Sequence, residues 1–265
     1  DYDIEENLYF SILPTATQYA RNALFAGLMP EQIRKMYPDL WVEESEEEGK
    51  NLNEEMLIRH QMERFRRREV FHYHKLNDSV AADRFLGQFR KVTHAPLNVL
   101  VINFIDILSH ARTESRMVRE LASNEAAYRS ITLSWFKHTA IKDLFTYLAS
   151  LDYDILITTD HGSIRVDAPI KVVGDKNVNT NLRYKVGKNM GYNKKEVFEM
   201  REPEQYGLPR PNLSSNYIFA EGNKFFAYPN NYNYYVQYYK GTFQHGGISM
   251  EEMIIPIITL HSKKY

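Results

Sequence analysis

Apolar side chains run almost unbroken through "NVLVINFID" (98–106) and again through "DILITTD" (154–160). A strand buried on both faces reads this way, and such strands belong to parallel sheets covered by helices. Between them, "ITLSWFKHTAIKDLFTYLASL" (131–151) spaces its apolar residues as an amphipathic helix does. Strand, helix, strand in this order predicts a right-handed crossover and hence an α/β fold, a mixed, mostly parallel sheet sandwiched by helices. "MIIPIITL" (253–260) predicts a last strand, and Pro256, which lacks an N–H, marks it as an edge or bulged one. The opening "DYDIEENLYFSILPTAT" reads as a strand approach with no cap or leader ahead of it, as expected of a chain that begins inside a domain.

Other segments carry weaker periodicity. "TATQYARNALFAGLMP" predicts a loop feeding a helix, with Thr15 or Thr17 as N-cap and Gly27 and Pro30 closing it. Residues 43–55, "EESEEEGKNLNEE", predict an acidic and mobile surface loop. Residues 54–76 look helical with a basic middle, and "VFHYHKL" at their end fits a half-buried strand better than a His72/His74 metal pair. From about Gly174 to Pro211 the pattern dissolves into Lys, Asn and Gly, which predicts an excursion that partly caps the active edge of a single domain spanning 1–265. "YIFAEGNKFFAYPNNYNYYVQYYKGTF" predicts short aromatic strands with turns at Gly222-Asn223 and Asn230-Asn231.

Composition narrows the chemistry. The 265 residues contain no cysteine, which excludes disulfides and thiolate metal sites, so any metal must be held by His, Asp, Glu or hydroxyl oxygen. A formal net charge of -1 gives no reason to expect a general nucleic-acid or membrane surface. No apolar run nears the roughly 20 residues of a membrane span. No membrane insertion and a cytoplasmic, reducing location are therefore expected.

The chemistry concentrates at strand ends. "DILITTDHGS" delivers Asp160 and His161 where a buried strand gives out, with Gly162 permitting a sharp turn after them. "NVLVINFIDILSH" ends in Asp106, with His110 four residues on and therefore on the same face of a helical continuation. Open α/β sheets bind ligands at the carboxyl ends of their strands, so Asp106, Asp160 and His161 are expected at one edge. A third imidazole, His245, is followed by Gly246 and Gly247, which allow close backbone approach. Asp, His and His suit one zinc; Asp, His and a hydroxyl could begin a second. A Thr at a helix N-terminus sits where free N–H groups and the helix dipole favour an anion, and coordination would make it a nucleophile.

Four segments in order, "LPTATQYARNALFAGL", "IDILSH", "TTDHGS" and "FQHGGISMEEMIIPI", resemble the motifs of the alkaline phosphatase superfamily, with its PglZ-domain branch the nearest. Within that branch the chain resembles the C-terminal effector domain of PorX-type response regulators of type IX secretion. The resemblance implies two zinc ions and a phosphoryl-transfer hydrolase. Thr17 would be the nucleophile and Asp106, His110 and His245 the ligands of one zinc. Asp160, His161 and Thr17 would hold the other. It favours phosphodiesters, nucleotide or oligonucleotide ones, as substrates, and a cytoplasmic output domain able to form a homodimer, with signalling proteins as partners. The family also carries a metal-ligand Asp on a first strand some tens of residues before the nucleophile. Only sixteen residues precede Thr17, so either that strand is missing or the second metal site is incomplete. The upstream receiver domain is also absent from this sequence.

Plainer readings stand beside these. Arg21, one turn beyond Thr17, either neutralises substrate phosphate or makes a surface salt bridge. "RFRRRE" (64–69) is a solvated helix face, or a contact to phosphate-rich substrate or another subunit. The tyrosines of residues 228–239 pack as strands, with base stacking the alternative. His60, His94, His138 and His261 have no nameable partners. The rival function is a non-catalytic, partner-binding signalling effector whose metal site is structural or degraded.

Overall fold

A computed structural model describes residues 1–46, 49–76, 79–89, 95–151, 153–174 and 178–263. In chain order the elements begin with β1 (Tyr2–Phe10), α1 (Thr17–Ala26), α2 (Pro30–Met36), α3 (Glu54–Arg64) and β2 (Phe71–Leu76). Then come α4 (Ser79–Phe89), β3 (Leu97–Ile102), α5 (Phe104–Glu114), α6 (Arg116–Leu121), α7 (Glu125–His138) and α8 (Ala140–Ala149). The remaining strands are β4 (Ile155–Thr158), β5 (Ile164–Arg165), β6 (Ala168–Lys171), β7 (Tyr184–Gly187), β8 (Val197–Met200), β9 (Asn216–Ala220) and β10 (Lys224–Ala227). α9 (Tyr232–Tyr239), β11 (Phe243–Gln244), α10 (Met250–Met253) and β12 (Ile254–Ser262) complete the chain. No helix among the described residues is long and apolar enough to cross a membrane.

The chain divides into two compact units, each assembled from separate segments. The first comprises Asp1–Asn7, Arg68–Ile157 and Ile257–Tyr265; the second comprises Leu8–Arg67 and Thr158–Pro256. In the first unit β2 and β3 pair in parallel, Phe71 opposite Leu97 through Leu76 opposite Ile102, with α4 as their crossover. A parallel neighbour requires such a crossover, and Leu76, Phe85, Phe89, Ala140, Ile141 and Leu144 bury their apolar surface under it. The sequence's single long helix over 131–151 is in fact two, α7 and α8, broken at Thr139 in extended conformation.

The second unit holds a core of α1, α2, α3 and a β-sheet. Tyr19, Ala26, Ile33, Leu57, Tyr184, Val186, Tyr217 and Phe219 interlock there. Residues between 178 and 211 therefore furnish β7 and β8 and several core side chains; residues 175–177 of the expected excursion lie outside the described residues.

A mostly parallel sheet is not what forms. Among the described residues there are five small sheets, ordered β1-β12-β4, β10-β6, β11-β5, β2-β3 and β7-β9-β8, and pairing in the second unit is largely antiparallel. In the β7-β9-β8 sheet both outer strands run antiparallel to the central β9, and β8 reaches β9 through a segment with no α-helix, so that chain reversal brings it back antiparallel. β12 is central in its sheet, not an edge. Pro256 is tolerated near its start, and the Pro256 carbonyl still accepts the Thr158 hydroxyl at 2.8 Å.

Residues 232–239 form a helix where strand was expected. Tyr234 stacks over Tyr238 and Tyr235 over Tyr239, pairs one helical turn apart, so i,i+4 contacts outweigh tyrosine's strand preference. The acidic loop is tied down at Glu44, whose carboxylate accepts the hydroxyls of Tyr19 (3.0 Å) and Tyr184 (2.9 Å). Glu47 and Glu48 lie outside the described residues.

Candidate functional site

The "PTAT" turn presents two hydroxyls with different employment. Ala16 is the N-cap of α1, in extended conformation, and Thr17 is the first helical residue. No side chain caps the helix. Thr15, fully buried, instead bridges to the glycine pair: its Oγ1 accepts the Gly246 N–H (3.0 Å) and donates to the Gly247 carbonyl (2.9 Å). The Thr17 Oγ1 lies 3.0 Å from His161 Nε2. Asn51 donates its amide to the Thr17 carbonyl at 3.0 Å, holding the first turn from the other side.

His161 follows β4 and is almost buried, with 10% of its side chain exposed. Its Nδ1 faces the Gly162 carbonyl at 2.9 Å, and a carbonyl can only accept, so Nδ1 carries a proton and the neutral ring keeps its lone pair on Nε2. Thr17 therefore donates. Asp160 Oδ2 stands 3.6 Å from the same Nε2. Burial leaves this carboxylate oxygen with no hydrogen-bond partner, although Oδ1 accepts from Thr159 and the backbone carbonyl from Ser11. An orphaned buried carboxylate oxygen is costly unless a cation satisfies it. Gly162 is required by a close approach and not by a turn: a Cβ there would meet the Glu251 carbonyl oxygen at 1.9 Å.

His245 follows β11. Its Nδ1 donates to the Thr15 carbonyl at 3.1 Å, and its ring stacks on His161 with centroids 4.1 Å apart and planes 16° from parallel. The second unit thus gathers Thr17, Asp160, His161 and His245. Asp106 and His110 belong to the first unit, where α5 sets them one turn apart with Oδ1 and Nε2 separated by 3.6 Å, both well exposed. Asp106 is in the first turn of α5 and not at the end of a strand, because β3 stops at Ile102.

Arg21 is engaged by Glu54, with Nε 2.5 Å from the buried carboxylate. His60 pairs with Glu63 (3.0 Å), His138 with the Ser134 carbonyl (2.7 Å) and His261 with Asp154 (2.7 Å). His94 lies outside the described residues. Among the described residues no three His, Asp or Glu side chains gather closely enough to hold a metal by themselves. The donor set that fits a cation is mixed: the orphaned Asp160 oxygen, the His161 Nε2 lone pair and the Thr17 oxygen, two hard oxygens and an imidazole of the kind zinc accepts.

Sequence reading passed over two residues at this site. Arg183 and Glu252 are both fully buried and paired, Nη2 to Oε2 at 2.6 Å. Glu252 lies in the most distinctive motif, "HGGISMEE", which was its available signal; nothing local distinguished Arg183 from its basic surroundings. Nearby, burial lowers the Lys185 ammonium to about 7. Burial also raises the Tyr19 and Tyr184 hydroxyls well above the usual range, keeping them as donors to Glu44.

An α/β chain with a hydroxyl, an imidazole and an orphaned carboxylate at one helix N-terminus has the makings of an alkaline phosphatase-like domain. The family model for the BREX system PglZ alkaline phosphatase-like domain matches residues 1–260, and the chain belongs to that family. Among solved structures, a phosphonoacetate hydrolase from Sinorhizobium meliloti 1021, crystallised in complex with phosphonoformate, is similar at 12% identity with a TM-score of 0.40. The match covers 69% of this chain and 50% of that chain, so the chain spans about half the length of the hydrolase. A search of curated proteins finds no match.

Proposed function

We propose that the chain is a zinc-dependent phosphoryl-transfer hydrolase with Thr17 as nucleophile. The observation that carries this reading is the Thr17 hydroxyl, 3.0 Å from His161 Nε2 and free of capping duty, beside a buried carboxylate oxygen without a partner. Asp160, His161 and Thr17 would hold one zinc; the assignment of Asp106, His110 and His245 to a second rests on the motif resemblance alone. Zinc there would lower the Thr17 pKa and offset charge on the phosphoryl oxygens. The α1 N-terminus, where the helix dipole favours negative charge, suits the phosphate. The Thr17 oxygen, its proton lost to solvent, attacks phosphorus in line, and the ester oxygen leaves opposite and takes a proton from water. Hydrolysis of the phosphothreonine then restores the hydroxyl. Arg21 is the candidate for neutralising the phosphate from α1, in competition with Glu54.

The motif resemblance to PorX-type effector domains supports nucleotide-type phosphodiesters as substrates. It also supports a cytoplasmic role as the output domain of a two-component response regulator controlling type IX secretion, with homodimer formation and signalling partners. Family membership supports the hydrolase class more broadly.

Elemental analysis of the purified chain, with a panel of phosphomonoesters and phosphodiesters, tests the reading. Roughly two zincs per chain are expected, with His161→Ala and His110→Ala each losing about one. Thr17→Ala should abolish turnover and leave the circular dichroism spectrum unchanged. Turnover that survives in Thr17→Ala would sink the nucleophile assignment. Far better cleavage of monoesters would sink the diester preference. A chain with neither metal nor turnover would be the partner-binding effector.

A further inference from the structure

The two stacked imidazoles of the site sit on separate loops, and one buried residue touches the backbone of both. The Glu252 carbonyl accepts the Gly162 N–H at 2.9 Å, one residue beyond His161. Its carboxylate accepts the Gly247 N–H at 3.0 Å, two residues beyond His245. The same carboxylate accepts the Ser249 hydroxyl (2.6 Å) and a two-point contact from Arg183, through Nε (3.1 Å) and Nη2 (2.6 Å). Arg183 is fixed in turn by Nη1, which donates to the Lys224 carbonyl. Thr15 holds the same glycine pair, making its two Oγ1 bonds to Gly246 and Gly247 while its carbonyl receives His245 Nδ1–H. There is no slack for rearrangement: a Cβ on Gly247 would meet the Ala220 carbonyl at 2.5 Å and the Arg183 guanidinium at 2.8 Å.

We propose that Thr15 and the Arg183–Glu252 pair are positioning residues, which clamp the 245–247 loop through two separate sets of hydrogen bonds and so fix the tautomer of His245 and its stacking on His161. The physical reason is that an imidazole presents a lone pair in one direction only when its other nitrogen has a fixed acceptor. Here that acceptor is the Thr15 carbonyl, and its distance from His245 is set by the bonds that Thr15 and Glu252 make to the glycine backbone. A buried charge pair with its remaining lone pairs satisfied holds one geometry, because any displacement leaves a charge uncompensated. This assignment rests on the reading of His245 as a ligand only for its catalytic consequence; the orientation itself can be read without turnover.

Long-range proton–nitrogen spectra of the histidine side chains, recorded on the full chain without added metal in mildly alkaline buffer, report each tautomer. Wild-type His245 is expected to carry its proton on Nδ1. Thr15→Ser, which keeps both hydrogen-bond roles, should retain that spectrum. Thr15→Val, which keeps the shape and loses both roles, should leave His245 averaging between tautomers. So should the paired Arg183→Met and Glu252→Leu change, which removes both charges together and leaves the Gly247 N–H without its acceptor. Zinc titrated into either variant should bind about tenfold or more weakly, the usual cost of an outer-shell partner. A wild-type His245 protonated on Nε2 overturns the proposal, as does a wild-type His245 spectrum in either folded variant. If Thr15→Val does not fold, the wild-type spectrum and the paired variant decide between the same two outcomes. A chain that binds no zinc and turns over nothing would defeat the proposed function while leaving these spectra able to uphold the clamp.

Discussion

Thr17 opens α1 at a place where threonine hydroxyls commonly bond the helix's own N–H groups. Here the hydroxyl turns instead to His161, and the capping position is left to Ala16, which has no oxygen to offer. That diversion is what makes Thr17, and not Thr15, the proposed nucleophile. Close contact defines the neighbouring positions equally tightly. Gly162→Ala would force a Cβ to 1.9 Å from a backbone oxygen that cannot rotate away. Chemical denaturation should show a loss of roughly 1–3 kcal/mol or more, and turnover should fall with it as His161 is displaced. Lys185 makes a different prediction. Burial holds its pKa near 7 in the folded chain against 10.5 unfolded. Between these values the unfolded chain binds a proton that the native chain does not, so stability rises with pH across the window; below 7 both forms are protonated and the penalty is constant. Lys185→Met should be more stable at pH 7, with the gap closing toward pH 10. Parallel curves for the two proteins in denaturant titrations would refute the assignment.

The C-terminal end of α1 was legible because its cap is local, whereas its start was not: the N-cap is Ala16 and neither Thr15 nor Thr17. Gly27 closes α1 in the left-handed region (φ 59°) as the sequence predicts, its N–H bonded to the Ala23 carbonyl. Gly27→Ala should cost about 1 kcal/mol in thermal or denaturant unfolding, with Gln61, 2.5 Å from the added Cβ, swinging aside; an unchanged midpoint would contradict the cap. The runs of β2, β3 and β4 were legible as strands, but the crossover read between β3 and β4 does not form: β3 pairs with β2 across α4, a helix the pattern did not mark, and β4 joins the sheet of β12. α9 was not legible in this way. Its tyrosines favour extended backbone by propensity, and only stacking across a turn decides for helix. Strand neighbours were likewise hidden: β12 reads as an edge or bulged strand from Pro256, and it is not an edge, since it lies between β1 and β4.

For the whole molecule, the notable fact is that neither compact unit is continuous in sequence. The chain leaves the second unit for the first at Arg67–Arg68, within a stretch, 65–70, in which every residue is exposed. Trypsin should therefore cut first among Arg66, Arg67 and Arg68. The two fragments should remain associated, because residues 8–67 and 158–256 pack into one core within the second unit. Separation of the fragments under native conditions would argue against that shared core. Zinc should add to the stability of the folded chain by mass action, about 2.7 kcal/mol at a hundredfold excess over its dissociation constant, and a chelator should reverse the gain in a melting experiment.

The sequence by itself determined the α/β class, the C-terminal end of α1, the order of four motifs and the residue types available to a cation. Each of these is set by composition or by neighbours within a few positions. Tertiary structure alone decided that Thr17 meets His161, that Thr15 and Glu252 meet across more than two hundred residues of chain at one glycine pair, and that the sheets are several and largely antiparallel. Such contacts depend on which loops the core brings side by side, and on buried polar groups that must find partners wherever the fold supplies them. No local pattern records either requirement.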